Sequence, residues 1–352
     1  MRVLYPFLAV IAFILIALVG VRIPGGQSLI GIVLPYLAIL AFTGGFVFKV
    51  LGWARSPVPF RIPTTCGQGV SLPWIKQNKL DCPSTFWGVA GRMLLEVLLF
   101  RSLFRNTKAS IHKGPQLAYG SSKWLWLVGL TFHYSFLVIV IRHMRLFTNP
   151  MPAFLHALEF GDGILQVGAP QLYITDLLLV GALLFLFVRR LVMPQVRYIS
   201  LANDYFPLFL ILGIGITGIL MRYFIRVDVV GIKQLAVGLV TFSPKIVGDI
   251  GSLFFIHLFL VCLLLIYFPF SKLMHLGGVF LSPTRNMANN SRMKRHINPW
   301  NDPNITPHSY AAYEDEFREF MVEAGIPVDK ELAKPAESAA AGPAAEAAPA
   351  EG

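Results

Sequence analysis

Apolar residues come in blocks about 20 residues long, the length a helix needs to cross roughly 30 Å of hydrocarbon. Six such blocks are legible, at residues 3–21, 29–51, 123–146, 174–192, 206–224 and 249–275. Each is apolar around most of its circumference, the pattern of a helix facing lipid or a bundle interior. A seventh stretch, 85–103, differs. Trp87, Met93, Leu94, Val97, Leu98 and Leu99 recur at helical spacing against Arg92, Glu96 and Arg101, the pattern of a helix lying along a membrane surface. The expected fold class is all-α: a polytopic membrane helix bundle of about six transmembrane helices plus one interfacial amphipathic helix.

The polar intervals divide the chain. Residues 1–52 read as a transmembrane hairpin joined by a Pro/Gly turn at 23–27, and its first block lacks an A-x-A-like cleavage site, so it is expected to be retained. Residues 53–122 form a basic connection carrying the amphipathic helix, and 123–275 a core of four helices. Residues 276–332 are expected to be a partner-docking tail, with a basic cluster (Arg285, Arg292, Lys294, Arg295) and an acidic helix at 307–325 capped by Ser309. The Ala/Pro/Glu run 333–352 has too little large apolar surface to fold.

Composition agrees: the chain is 55% hydrophobic and 14% charged, with mean hydropathy +0.62. Its net charge of +11 does not imply nucleic acid, because the basic residues lie mainly in connections between blocks. Most fall on one side, which the positive-inside rule makes cytoplasmic, so both termini are expected inside the cytoplasmic membrane of a prokaryote. Arg142, Arg145, Arg222, Arg226, Lys233 and Lys245 fall on the other side. There are three cysteines, Cys66, Cys82 and Cys262, without a CxxCH or CxxC motif, so a redox metal would have to be held by histidine. Cys66 and Cys82, facing a reducing compartment, are expected to be unbridged.

Candidate chemistry lies in four intramembrane histidines. His257 and His275 are eighteen residues apart, five turns or about 27 Å along one helix; His133 and His143 are ten apart, about 15 Å. A lone membrane histidine more often bonds a neighbouring backbone. Four, in two sets at two depths, point instead to metal ligation, since neutral imidazole is a common metal ligand and an axial ligand of haem. Block three runs outward from the basic connection and the last block runs inward. Pairing by depth therefore gives His133 with His275 on an inner haem iron and His143 with His257 on an outer one. A kink at Pro269 is expected to shorten the longer separation. Arg142 and Arg145 are candidates for the acidic groups of the outer cofactor or for interfacial anchors, with Lys123 and Lys272 their inner counterparts. Gly213, Gly215 and Gly218 read as close helix packing, or as room for a flat ring.

These histidine spacings resemble the membrane cytochrome b family that includes the gamma subunit of respiratory nitrate reductase, where histidines ten apart on one helix and eighteen apart on the last hold two haems b. A second resemblance is carried by Thr64-Thr65-Cys66-Gly67-Gln68, by Ser71-Leu72-Pro73-Trp74 through Asp81-Cys82-Pro83, and by Gly91-Arg92-Met93-Leu94-Leu95-Glu96 through Phe104. This segment is similar to the M subunit of the Dsr membrane complex associated with sulfite reductase. The resemblance implies two haems b, menaquinone or another quinone as substrate, and a cytoplasmic iron–sulfur partner related to heterodisulfide reductase. It also implies membrane and periplasmic subunits including a cytochrome c, all within dissimilatory sulfur metabolism. A cytochrome b of a nitrate reductase or heterodisulfide reductase is the near alternative. A transporter or a cofactor-free anchor is the alternative of a different class, although the paired inverted halves of a transporter are not visible.

Overall fold

The computed structural model describes residues 2–56, 78–112, 114, 116–165, 170–289, 306 and 308–330. The chain divides into two compact units, Met1–His296 and Ile297–Gly352. The first opens with α1 (Leu4–Arg22) and the long α2 (Gly26–Ala54), whose start includes a π-helical turn at Leu29–Val33. The amphipathic α3 (Phe86–Leu99) follows, then a short hairpin of β1 (Thr107–His112) against antiparallel β2 (Gln116–Ser121). The bundle continues with α4 (Lys123–His143), α5 (Ala153–Asp162), α6 (Ile174–Val192) and α7 (Ala202–Ile219), the last closing in a π turn at Leu220–Phe224. It ends with α8 (Val229–Val240), α9 (Ser252–Tyr267) and α10 (His275–Leu281). The second unit contains α11 (Tyr310–Glu323), whose N-cap Ser309 hydroxyl accepts from the Ala312 N–H at 3.2 Å.

Among the described residues five helices are long and apolar enough to cross a membrane: Leu4–Arg22, Gly26–Ala54, Lys123–Leu146, Ala202–Phe224 and Ser252–Phe270. The sixth expected span, α6, is a 19-residue helix of the same bundle, but Asp176, Arg189 and Arg190 at its ends make it more charged than the others. The expected polytopic helix bundle is present, and a short hairpin is added to it. Its strands, TKASIH and QLAYGS, lack a continuous apolar face, so alternation did not announce them, and Gly114 turns the chain between them at φ 86°.

The last block is corrected more substantially. One helix carrying both His257 and His275 was expected. Instead α9 ends at Tyr267, two 3-10 turns follow at Phe268–Phe270 and Lys272–Met274, and His275 opens α10. Pro269 is the cause: it has no N–H for the helical ladder, and its ring crowds the preceding turn. Ser271 then starts the chain afresh, its hydroxyl accepting from the Leu273 N–H at 3.2 Å.

The close helix pairs are α4 with α6, α6 with α7, α7 with α9, α2 with α9, and α1 in the groove between α7 and α9. Among lipid tails as apolar as leucine, such contacts depend on close approach rather than on water exclusion. Two glycines of α2 supply it. A Cβ at Gly31 would lie 2.9 Å from a ring carbon of Phe255, and one at Gly45 would lie 2.8 Å from Pro269. Three apolar clusters fill the interior: Val21, Ile30, Ile232, Leu235, Ile250 and Phe255; Val10, Ala17, Leu210, Ile256 and Leu260; and Leu179, Leu183 and Ile211. The helices α4 and α9, which bear three of the four histidines, are not a close pair with each other.

Candidate functional site

The four histidine rings meet two by two. His133 and His275 have ring centroids 5.9 Å apart at an interplanar angle of 88°. His143 and His257 have centroids 6.4 Å apart with planes within 8° of parallel. The kink at Pro269 brings His275 back towards α4.

Each ring is oriented through its Nδ1. His133 donates to the Gly129 carbonyl at 2.7 Å, His143 to the Ile139 carbonyl at 2.7 Å and His275 to the Lys272 carbonyl at 2.9 Å. A carbonyl can only accept, so the proton sits on Nδ1 in all three and Nε2 keeps its lone pair. His257 reaches the same tautomer by another route. The Thr217 hydroxyl lies 2.8 Å from the Gly213 carbonyl and 2.9 Å from His257 Nδ1, and with its one proton given to the carbonyl it accepts from Nδ1. Among the described residues no Nε2 of the four finds a hydrogen-bond partner.

This arrangement fits one metal ion between each pair. A metal–imidazole bond is about 2 Å, and each nitrogen lies about 1 Å from its ring centre, so two imidazoles on opposite sides of one metal have centroids about 6 Å apart. Both observed separations are near that value. Among the described residues no group of three or more His, Cys, Asp or Glu could hold a bare ion. Two ligands per site suit a planar group that carries four ligands of its own, as haem does. The hydrogen bonds on Nδ1 fix tautomer and ring direction, which is the usual second layer of a histidine-ligated metal.

The surroundings of the two pairs differ. The His133 ring meets the edges of Phe132 and Phe100 at 5.0 and 4.9 Å. Phe100 is the C-cap of α3 and takes the left-handed conformation, φ 49° and ψ 47°, which costs a residue with a Cβ on the order of 1–2 kcal/mol. The two preceding carbonyls of α3 are taken by α4: Tyr134 donates to Leu98 at 3.0 Å and Trp126 Nε1 to Leu99 at 2.7 Å. At the other pair, a Cβ on Gly218 would come within 3.5 Å of His257, while Gly213 faces Val10 and Leu260, and Gly215 faces Leu179. Two of the three glycines thus serve helix packing and one lies beside a histidine.

The arginines considered for the cofactor's acidic groups have protein partners. Arg142 is buried and bridges Asp162 at 3.2 Å and Asp176 at 2.5 Å, with its guanidinium 3.8 Å above the Tyr173 ring. Arg145 pairs with Glu159 at 2.7 Å. At the His133 end, Lys272 pairs with Asp204 at 2.5 Å, and Lys123 lies over the Phe104 ring.

A polar knot joins α3 to the segment after α10. The buried Arg92 donates to the Asp81 and Met287 carbonyls, each at 3.2 Å, and to the Arg285 carbonyl. Glu96 pairs with Arg285 at 2.5 Å. Burial raises the Asp81 carboxyl, but hydrogen bonds and charge from Arg101 and Arg105 outweigh it and hold the pKa down at about 2. Its stabilisation is therefore present at neutral pH and fades only as pH falls from about 4 towards 2. Cys82, buried in this knot, accepts from the Asn289 side-chain amide at 2.5 Å; its suggested relation to Cys66 falls outside the described residues.

Sequence reasoning missed Thr217, Phe100, Trp126 and Tyr134. Thr217 had a signal, a hydroxyl four residues after Gly213 in an otherwise apolar span. Phe100 had none, because its backbone conformation is not written in its residue type.

Comparison with known proteins gives concordant relatives. The family model for the nitrate reductase gamma subunit matches residues 84–295. The Hdr-like menaquinol oxidoreductase cytochrome b-like subunit of Archaeoglobus fulgidus is 44% identical over 284 residues, covering 79% of this chain and 84% of that protein. The subunit of the same description from Archaeoglobus profundus is 46% identical over 279 residues, covering 77% and 82%.

Proposed function

The chain belongs to the nitrate reductase gamma subunit family, and from that membership we propose that it is the dihaem cytochrome b subunit of a membrane quinol oxidoreductase. It passes electrons between menaquinone and a cytoplasmic iron–sulfur subunit of the heterodisulfide-reductase type, in dissimilatory sulfur metabolism. The observation that carries the haem assignment is the pairing: four imidazoles meeting two by two near 6 Å, each oriented through Nδ1 with Nε2 left to ligate. His133 and His275 would hold the inner haem, His143 and His257 the outer one. The bound haems supply reversible one-electron transfer. The chain's own part is to fix the rings, to exclude water and to span the cytoplasmic membrane with both termini inside. The menaquinol oxidoreductase relatives support the quinol link, and the resemblance of residues 64–104 supports the sulfur-linked complex with its membrane and periplasmic subunits.

A reduced-minus-oxidised visible spectrum of the purified chain, with pyridine extraction to count haem, is expected to give two haems b per chain. Preparations that fold and carry no haem would end this reading.

The partner is expected to dock on the cytoplasmic side near the inner haem, where the basic connection and the knot around Arg92 lie in this topology. Crosslinks from Lys79 or from α11 are expected to reach an iron–sulfur subunit. Crosslinks to periplasmic subunits alone would reverse the orientation.

A further inference from the structure

Phe100 is placed by an arrangement more elaborate than the end of a surface helix requires. A helix commonly ends in a left-handed residue, but glycine is the usual occupant because it carries no steric penalty. Here a phenylalanine holds that position, and its ring edge rests against His133 with centroids 4.9 Å apart. The turn is fixed from both sides. On the membrane side, Tyr134 and Trp126 of α4 take the carbonyls of Leu98 and Leu99. Tyr134 is the immediate neighbour of His133, and Trp126 stands seven residues, about two turns, before it. On the other side, the Glu96 carboxylate accepts from the Ser102 N–H at 2.9 Å and the Ser102 hydroxyl at 2.6 Å, and it pairs with Arg285. A backbone conformation disfavoured for this residue type persists only where its surroundings hold it, and such positions gather at functional sites.

We propose that Phe100 is a positioning residue for the inner histidine pair: the clamped end of α3 presses its ring against His133 and sets the plane in which that imidazole faces His275. This rests on the dihaem reading and adds a residue to it. The Nδ1 hydrogen bond to Gly129 fixes the direction of the His133 ring but leaves rotation about that direction soft; the edges of Phe100 and Phe132 restrict it. Relative imidazole orientation alters the electronic structure of a bis-histidine iron, so the effect is readable without turnover. The same turn is tied through Glu96 to Arg285, and the segment beyond α10 thereby shares in holding the ring.

The test compares Phe100→Gly, which keeps the left-handed backbone and deletes the ring, with Phe100→Leu, which keeps bulk without a flat edge, and Phe100→Tyr, which keeps both. In the purified, haem-loaded complex, low-temperature paramagnetic resonance and redox titration are read for each haem component, the inner one being the component lost in His133→Ala. Glycine and leucine are expected to shift the resonance position and midpoint potential of the inner component alone, and tyrosine to restore both. Should Phe100→Gly not accumulate, Tyr134→Phe frees the Leu98 carbonyl while leaving Phe100 in place and is expected to shift the same component. An inner component identical to wild type in Phe100→Gly, or in Phe100→Leu and Tyr134→Phe together, overturns the proposal while the dihaem reading stands. A wild-type chain without two haem components overturns both.

Discussion

Alanine at His133 and alanine at His275 should each delete the same one of two haem components, and alanine at His143 or His257 should each delete the other. The reason is geometric. The rings of His133 and His275 lie 5.9 Å apart and those of His143 and His257 6.4 Å apart, while the two histidines within α4 are separated by about 15 Å of helix. If the paired imidazoles hold the haems as proposed, removing one ring would leave its haem with a single histidine, and that haem is expected to be lost from the site. Haem content should therefore fall by half in each single variant and no further in the pairs 133/275 and 143/257. Combining one variant from each pair should remove both components. Redox difference spectra of the four single and six double variants read this directly. If His133→Ala and His143→Ala were to delete the same component, ligation would run along α4 instead of between helices, and the site as drawn would be wrong.

Much of this was legible because the bilayer imposes a simple rule on the chain. With no water to satisfy backbone groups, each apolar block of sufficient length has to be a helix, and α1, α2, α4, α6 and α7 follow from blocks that could be delimited by eye. Depth was legible for the same reason, since helical rise converts residue number into distance. The last block reads as one helix kinked at Pro269, whereas the proline ends α9 altogether, a difference that apolar neighbours on both sides of it conceal. The hairpin at Thr107–His112 and Gln116–Ser121 was missed because neither TKASIH nor QLAYGS shows a sustained apolar and polar alternation. What surrounds the histidines was least legible. Phe100 lies 33 positions from His133 in sequence, and Thr217 lies 40 positions from His257. No local pattern joins residues so far apart.

The arginines show the same limit, and they give the second large expectation. From sequence, Arg142 stood next to an intramembrane histidine and was a candidate for the cofactor's acidic groups. In the fold its side chain is only 8% exposed and is shared by Asp162 and Asp176, exposed 3% and 12%. Both carboxylates have further duties. Asp162 accepts from the Thr175 N–H at 2.9 Å and its hydroxyl at 2.6 Å, fastening α5 to the start of α6, and Asp176 accepts from Tyr223 at 2.9 Å, fastening α6 to α7. Removing the guanidinium would leave two buried carboxylates without a counter-charge. Breaking a buried ion pair from one side costs on the order of 3–5 kcal/mol. Arg142→Ala is therefore expected to lower the thermal stability of the detergent-purified chain sharply. Arg145→Ala, which removes the 39%-exposed partner of Glu159, is expected to cost under about 1 kcal/mol. Adding Asp162→Asn to Arg142→Ala should recover part of the loss, because one of the stranded charges disappears. Both haem components should persist in Arg142→Ala below its unfolding temperature. Loss of the outer component alone, with the melting temperature unchanged, would mean that Arg142 serves the cofactor after all and that its bridge between Asp162 and Asp176 is secondary.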